Sequence, residues 1–138
     1  MSWNYREAEI GDELPSLSLE PISRSNMILY AQASGDHNPI HTDKDFAVKS
    51  GLPDVIAHGM LIMAYLGRML TDIVPQSKIE NINVQFSNMT HLHDELKYIG
   101  KVVEKNLSTE INTILVSLRV EEIRGQKKIL GQALININ

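Results

Sequence analysis

The second half of the chain alternates apolar and polar residues with the period of two that is typical of half-buried strands. The alternation is clear in residues 81–86 and again in residues 114–121. A last apolar run, residues 129–137, follows an Arg-Gly-Gln turn at 124–126, and this order predicts a hairpin. The pattern therefore predicts successive antiparallel strands after the middle of the chain.

The first half carries signals for helix ends. Ser23 can cap a helix, Ile22 and Met27 occupy the positions of a hydrophobic staple, and Gly35 is placed to end that helix. A shorter helix is expected from Thr42 or Asp43 to about residue 49. Before both, residues 14–22 alternate loosely and contain two prolines, which predicts a short edge strand or an extended segment.

A third helix is predicted from about Gly59 to Val74. Its first residues are apolar on nearly every side, so this helix must be buried. Pro75 cannot continue it, which gives about 15 residues and a length near 22 Å. Helices early in the chain and strands late in it indicate an antiparallel α+β domain.

Composition limits the classes of function. The chain has 138 residues, enough for one domain with a real core, so residues 1–138 are expected to form a single domain. A net charge of −4 argues against nucleic acid as a partner, and Arg124, Lys127 and Lys128 near one turn are interpreted as a solvated face. The absence of cysteine excludes disulfides, thiolate catalysis and cysteine metal sites.

The sequence also bears on location. Its N-terminus lacks a charged and then apolar signal segment, and its longest apolar run, Met60 to Leu66, is far shorter than a membrane span. The prediction is a cytoplasmic protein without a membrane segment.

Two short motifs carry the candidate chemistry. They read Ala33-Ser34-Gly35-Asp36-His37-Asn38-Pro39-Ile40-His41 and His58-Gly59-Met60. Asp36 and His41 lie on either side of an Asn-Pro turn, whose irregular backbone can aim both side chains at one point. The helix that begins with Gly59 offers unpaired backbone N–H groups to a developing negative charge.

With these motifs, the chain resembles the MaoC-like dehydratases, which include (R)-specific enoyl-thioester hydratases and (3R)-hydroxyacyl-thioester dehydratases. The matching stretch runs from about Ala33 to about Leu66. The resemblance implies a hot-dog fold, in which a curved antiparallel sheet wraps around a central apolar helix. The strand pattern after residue 80 fits this architecture.

The resemblance also implies roles for individual residues. Asp36 and His41 would act together on one water, and the backbone N–H of Gly59 would polarise the thioester carbonyl. Asn38 and Pro39 would shape the loop. Taken alone, Asp36 reads as a turn residue and His41 as a structural histidine; the complete motif favours catalysis. A histidine can give and take a proton at neutral pH.

Substrate contacts are predicted on the central helix. Met60, Met63 and Leu66 are expected to form an adaptable apolar wall for the acyl chain. Residues 89–94 depart from the Pro-Val and later Gly-Asp of many relatives, and this loop bears on chain length and carrier. His91 and His93 lie two apart, on one face if the strand before them continues, but they have no evident third ligand, so no metal site is predicted.

The leading hypothesis is reversible hydration of trans-2-enoyl thioesters and dehydration of (3R)-hydroxyacyl thioesters. No metal or redox cofactor is expected, and coenzyme A or acyl carrier protein would carry the acyl group. The alternatives are the catalytic subunit of a two-chain dehydratase, a hot-dog thioesterase, and a non-catalytic thioester-binding domain. A homodimer joined through an edge strand is expected, with a heterodimer as the alternative.

Overall fold

A computed structural model describes residues 3–17 and 19–138 of the chain. Within this part, three α-helices precede four strands. The helices are α1 (Arg24–Ser34), α2 (Lys44–Lys49) and α3 (Gly59–Thr71), and the strands are β1 (Ile79–Phe86), β2 (Leu96–Asn106), β3 (Thr113–Glu122) and β4 (Lys127–Asn136). One-turn 3₁₀ helices cover Tyr5–Glu7, Pro39–His41 and Gln76–Lys78. The predicted order of helices and strands is confirmed.

The four strands form one antiparallel sheet in the order β1-β4-β3-β2. Its register places Ile82, Ala133, Val116 and Val102 side by side across all four strands. The last three are fully buried. Helix α3 lies against this face, where the Tyr98 hydroxyl donates a hydrogen bond of 3.2 Å to the carbonyl of Ile62 in the first turn of the helix. The sheet and α3 therefore share one core.

The predicted ends of α1 and α2 are confirmed by their caps. The Ser23 hydroxyl accepts a hydrogen bond from the N–H of Asn26, and the Asn26 side chain accepts one from the N–H of Ser23. Gly35 ends α1 in the left-handed region, with φ 79°. At the start of α2 the cap is Asp43 rather than Thr42, because its carboxylate accepts from the N–H of Phe46.

Helix α3 is shorter than predicted and only partly enclosed. It has 13 residues and ends at Thr71, although the N–H of Val74 still reaches the carbonyl of Leu70. Its buried side chains are Leu61, Ile62, Leu66, Met69 and Leu70. Met60 and Ala64 are exposed, so one stripe of this helix is left uncovered in the single chain. The reason is that the single sheet covers only one side.

The segment at residues 14–22 is extended, as one of the two readings predicted, and Ser18 within it lies outside the described residues. Together with the preceding Glu13, it runs along the outer edge of β2 through isolated bridges, Glu13 with Lys101 and Leu17 with Tyr98. Strand β1 has β4 as its only partner in the described sheet. The edge at β1 is therefore the open one.

The connection between β1 and β2 is irregular. The strand does not continue to His91 and His93, and His93 adopts a positive φ of 69°. The two histidines therefore do not share a strand face. Among the described helices, none is long and apolar enough to pass through a membrane.

Candidate active site

The loop after α1 is folded by its own side chains. The Asp36 carboxylate accepts a hydrogen bond of 3.2 Å from the N–H of Asn38. The Asn38 side chain in turn accepts one of 3.2 Å from the N–H of Ile40 and so caps the one-turn helix that Pro39 begins. Such Asx turns stabilise a loop without a sheet or long helix. The loop thus leaves Asp36 exposed and directs His41 inward.

His41 is held in one orientation by a backbone carbonyl. Its Nδ1 lies 2.7 Å from the carbonyl oxygen of Ile56. Because a carbonyl can only accept, the neutral form of the ring carries its proton on Nδ1 and its free lone pair on Nε2. That Nε2 lies 3.9 Å from Oδ2 of Asp36, beyond a direct hydrogen bond. The two predicted catalytic side chains are therefore brought together, with an acceptor on each facing the other.

His58 supports this pair from behind. Its ring, only 2% exposed, stacks on the ring of His41 with centroids 3.8 Å apart and an angle of 23° between the planes. Its Nε2 donates to the backbone carbonyl of Asp36 at 3.2 Å, and Tyr30 packs edge-on against it. Burial lowers the pKa of His58, which keeps the ring neutral. His58 is therefore held in place behind His41 by packing and by its bond to the Asp36 carbonyl.

Gly59 begins α3 beside these groups. The side chain of His58 makes no capping bond there, and the carbonyl of His58 accepts from the N–H groups of Leu61 and Ile62. A Cβ on Gly59 would lie 3.2 Å from the Phe86 ring, which is tighter than ordinary contact. Glycine therefore lets the strand end approach the start of the helix.

A cavity of about 350 Å³ opens at this point. Its lining comes from the loop before α3, the start of α3, the end of β1 with the residues after it, and the start of β4. The lining residues are His41, Ile56, Ala57, Gly59, Ile62, Phe86, Ser87, Asn88, Met89, Thr90, Lys128 and Ile129. Most of these are apolar, so the cavity suits an apolar group that ends near His41 and Gly59.

The predicted acyl-chain residues are not part of this cavity. Leu66 is buried in the core, and Met60 is 56% exposed on the surface of α3. Neither they nor Met63 line the cavity. The residue of α3 that does so beyond Gly59 is Ile62, because the cavity lies at the first turn of the helix and on its inner side.

Ligand atoms of Asp36, His41 and His58 lie within 4.8 Å of one another, which is close enough to consider a metal ion. However, ring nitrogens bind a metal in the ring plane, and the stacked rings direct their planes in nearly parallel directions. Nδ1 of His41 and Nε2 of His58 are also used by backbone carbonyls. The arrangement fits proton transfer better than metal ligation.

Comparison with known proteins identifies the family. The sequence model of the MaoC-like domain matches residues 7–125. The chain belongs to the MaoC-like domain family. The solved R-hydratase PhaJ1 of Pseudomonas aeruginosa is 28% identical, with a TM-score of 0.84 over 96% of this chain and 83% of that one. The predicted hot-dog architecture is thereby confirmed.

Two curated relatives differ in size. The mitochondrial 3-hydroxyacyl-[acyl-carrier-protein] dehydratase of Arabidopsis thaliana is 27% identical over 122 residues, which is 88% of this chain and 71% of the relative. The fatty acid synthase beta subunit TOXC of Cochliobolus carbonum is 33% identical over 113 residues. That match covers 77% of this chain but 5% of the subunit. The MaoC-like domain is thus found both in a protein of similar size and within a much longer one.

One residue at the cavity of this MaoC-like domain was missed from the sequence. Lys128 was assigned to a solvated face with Arg124 and Lys127, yet it is 1% exposed and lines the cavity. That interpretation is wrong for Lys128, because strand β4 turns this side chain under the loop between β1 and β2. The sequence holds no signal for it, since two adjacent lysines after a turn are typical of a surface.

Proposed function

We propose that this protein catalyses the reversible addition of water to trans-2-enoyl thioesters, giving (3R)-hydroxyacyl thioesters. The observation that carries the proposal is the pair formed by His41, whose side chain lines the apolar cavity, and Asp36, which does not line it: Nε2 of His41 lies 3.9 Å from Oδ2 of Asp36. Both atoms are acceptors when Nδ1 carries the proton. A pair of acceptors at this spacing suits a water molecule that must lose a proton.

The proposed first step activates the water. Two hydrogen bonds of about 2.8 Å from one water can span acceptors at this separation. His41 removes one proton while Asp36 accepts a hydrogen bond from the other, and the hydroxyl adds to C3 of the enoyl group. The electron pair of the double bond moves towards the thioester oxygen as an enolate. The proton held by His41 then passes to C2, so the product has gained one complete water.

Gly59 is proposed to stabilise the enolate. The first N–H groups of a helix carry partial positive charge and have no partner within the helix. The N–H of Gly59 occupies that position on α3, beside the cavity and His41. A glycine there also leaves room for the thioester oxygen, since it has no side chain to block the approach. Asn38 and Pro39 contribute by fixing the loop.

The acyl chain is proposed to enter the cavity between Ile62, Phe86 and the loop after β1. This replaces the wall predicted on Met60, Met63 and Leu66. The carrier is coenzyme A or acyl carrier protein, and the proposed steps need neither a redox cofactor nor a metal, because they consist of proton transfers and the addition of water. The cytoplasmic location stays a prediction, and one relative is described as mitochondrial.

The test is the absorbance of the conjugated enoyl thioester, followed with coenzyme A and acyl-carrier-protein substrates of several chain lengths. We expect the absorbance to fall without release of free thiol, and the reverse reaction to use the (3R)-hydroxyacyl thioester and not the (3S) form. Release of thiol without hydration would instead indicate a thioesterase. Binding without either reaction would indicate a thioester-binding domain.

A further inference from the structure

The buried lysine near the proposed acyl site has a complete set of partners. Lysine side chains are rarely fully buried unless they are paired. Lys128 Nζ donates to the carbonyl of Met89 and to the Gln126 side chain, each at 2.6 Å, and lies 3.2 Å from Oδ2 of Asp94. An ammonium group has three N–H donors, so all three are used. Lys128 therefore has a structural role beside the cavity, and its ammonium group has no donor left for a substrate.

Its partners belong mainly to the connection between β1 and β2, residues 87–95. The carboxylate of Asp94 also accepts a hydrogen bond of 2.8 Å from the N–H of His91. At the beginning of the connection, the N–H of Ser87 donates to the backbone carbonyl of Lys128 at 2.9 Å. Lys128 thus contacts this irregular segment at its beginning, its middle and its end.

The same segment forms one wall of the cavity through Ser87, Asn88, Met89 and Thr90. The carbonyl of Thr90 accepts from the N–H of Ala57 at 2.8 Å. The neighbouring Ile56 provides the carbonyl that binds Nδ1 of His41. The distance from the wall to His41 is therefore set by backbone hydrogen bonds on one side and by the Lys128 ion pair on the other.

We propose that the Lys128–Asp94 ion pair determines which acyl-chain length the enzyme accepts, by fixing the wall of the cavity. This inference rests on the proposed hydratase function. Lys128 and Asp94 are positioning residues, because neither touches the reacting atoms. Lys128 acts through the carbonyl of Met89, and Asp94 acts through the N–H of His91. Without the pair, the Met89 carbonyl loses its hydrogen bond to the buried Lys128, and the wall can move outward to make room for longer acyl chains.

The experiment compares Lys128→Met with the matched control Lys127→Met. Methionine keeps most of the length of lysine but removes its charge and its donors. Lys127 is the exposed neighbour on the same strand, and only its backbone carbonyl is used by the loop. KM and kcat are measured for short, medium and long enoyl thioesters. We expect Lys128→Met to change the ratio of kcat/KM between long and short substrates by about tenfold, mainly through KM. The control should leave the ratio unchanged.

A second variant keeps the test valid if Lys128→Met alone does not fold. Lys128→Met alone leaves a nearly buried carboxylate unpaired, which is strongly destabilising, whereas Lys128→Met with Asp94→Asn removes both charges. The double variant should show the same change in the ratio. Amide hydrogen exchange of residues 87–95 should be faster in it, while exchange in β3 stays as in the wild type.

The outcomes separate the two proposals. An active wild type whose variants keep the original ratio overturns the role of the ion pair and leaves the hydratase proposal intact. Unchanged exchange in residues 87–95 also overturns it, because the pair would then not fix the wall. A folded wild type without hydratase activity at any chain length overturns the proposed function and, with it, the selection of chain length.

Discussion

At the scale of single residues, the proposed chemistry depends on two acceptors that face each other, Nε2 of His41 and Oδ2 of Asp36. Asp36→Asn keeps the shape but loses the negative charge, and His41→Gln loses the proton carrier. Each is expected to lower the hydration rate by about 10²–10⁴-fold, because general acid–base catalysis contributes in this range. The double variant should be little slower than either single one, since both act on the same water.

His37 provides the control for this measurement, because it is exposed in the same loop and has no role in the proposed mechanism. His37→Gln should keep both the rate and the melting temperature. Asp36→Asn with a near-normal rate would contradict the mechanism. Unfolding of both single variants would favour a structural role for Asp36 and His41.

His58 should make the stability of the fold depend on pH. Burial lowers its pKa below the ordinary value of 6.5, so the unfolded chain binds a proton that the folded chain resists. The stability linked to His58 is therefore complete above about pH 6.5 and is lost as the pH falls towards the lower folded value. The melting temperature of His58→Gln should consequently fall less than that of the wild type between about pH 8 and about pH 5.

The comparison variant is again His37→Gln, whose melting temperature should follow the pH dependence of the wild type. If His58→Gln and the wild type lose the same number of degrees over this range, His58 is not the group responsible.

At the scale of elements, the start of α3 determines how close a substrate can come. Gly59→Ala adds a methyl group 3.2 Å from the Phe86 ring and beside the proposed oxyanion site. We expect a lower hydration rate with helix content unchanged. To separate the two contacts, the variant is repeated with Phe86→Leu, which removes the ring, and is compared with Phe86→Leu alone. The rate should stay low in the double variant; full recovery would assign the effect to packing against Phe86.

The ends of elements were predictable where local chemistry sets them. Ser23, Gly35 and Asp43 act through bonds within a few residues. Ser23 and Gly35 predicted the ends of α1, and α2 was predicted to begin at Thr42 or Asp43. The exposed stripe of α3 and the burial of Lys128 depend on which distant segments cover them. The sequence pattern could not predict this cover, because periodicity shows which residues share a face of an element but not which other segment packs against that face.

The site shows the same division. Asp36 and His41 lie five residues apart, so the loop motif was enough to bring them together in the prediction. The cavity is built from segments as distant as residues 56–62, 86–90 and 128–129. Its wall could not be derived from the sequence, and Met60, Met63 and Leu66 were assigned to it because they share one apolar run.

At the scale of the whole molecule, the open edge at β1 and the uncovered stripe of α3 lie side by side. Gly67 and Thr71 of α3 border a groove with Ile79 and Ile82 of β1. A second copy paired along β1 would cover this groove and the exposed Ala64 near it. We therefore expect a homodimer in light scattering at micromolar concentration.

Ala64→Arg tests this assembly, because a long charged side chain on the stripe should prevent close packing and give the mass of a monomer. Leu107→Arg is the control, since Leu107 is also exposed but follows β2 at the opposite edge of the sheet. It should remain a dimer. A wild type with the mass of a monomer and full activity would contradict the prediction.

The cavity lies between two stretches of chain, one that carries the proposed catalytic groups and one that forms a wall. The groups proposed to move protons and polarise the thioester lie within residues 36–59, whereas one wall of the cavity is residues 87–90, held by Lys128. The stretches meet through backbone bonds such as that from Ala57 to Thr90, which do not depend on side-chain identity. Substitutions in the wall can therefore change which substrates such a domain accepts over evolution while the proposed reaction is inherited unchanged.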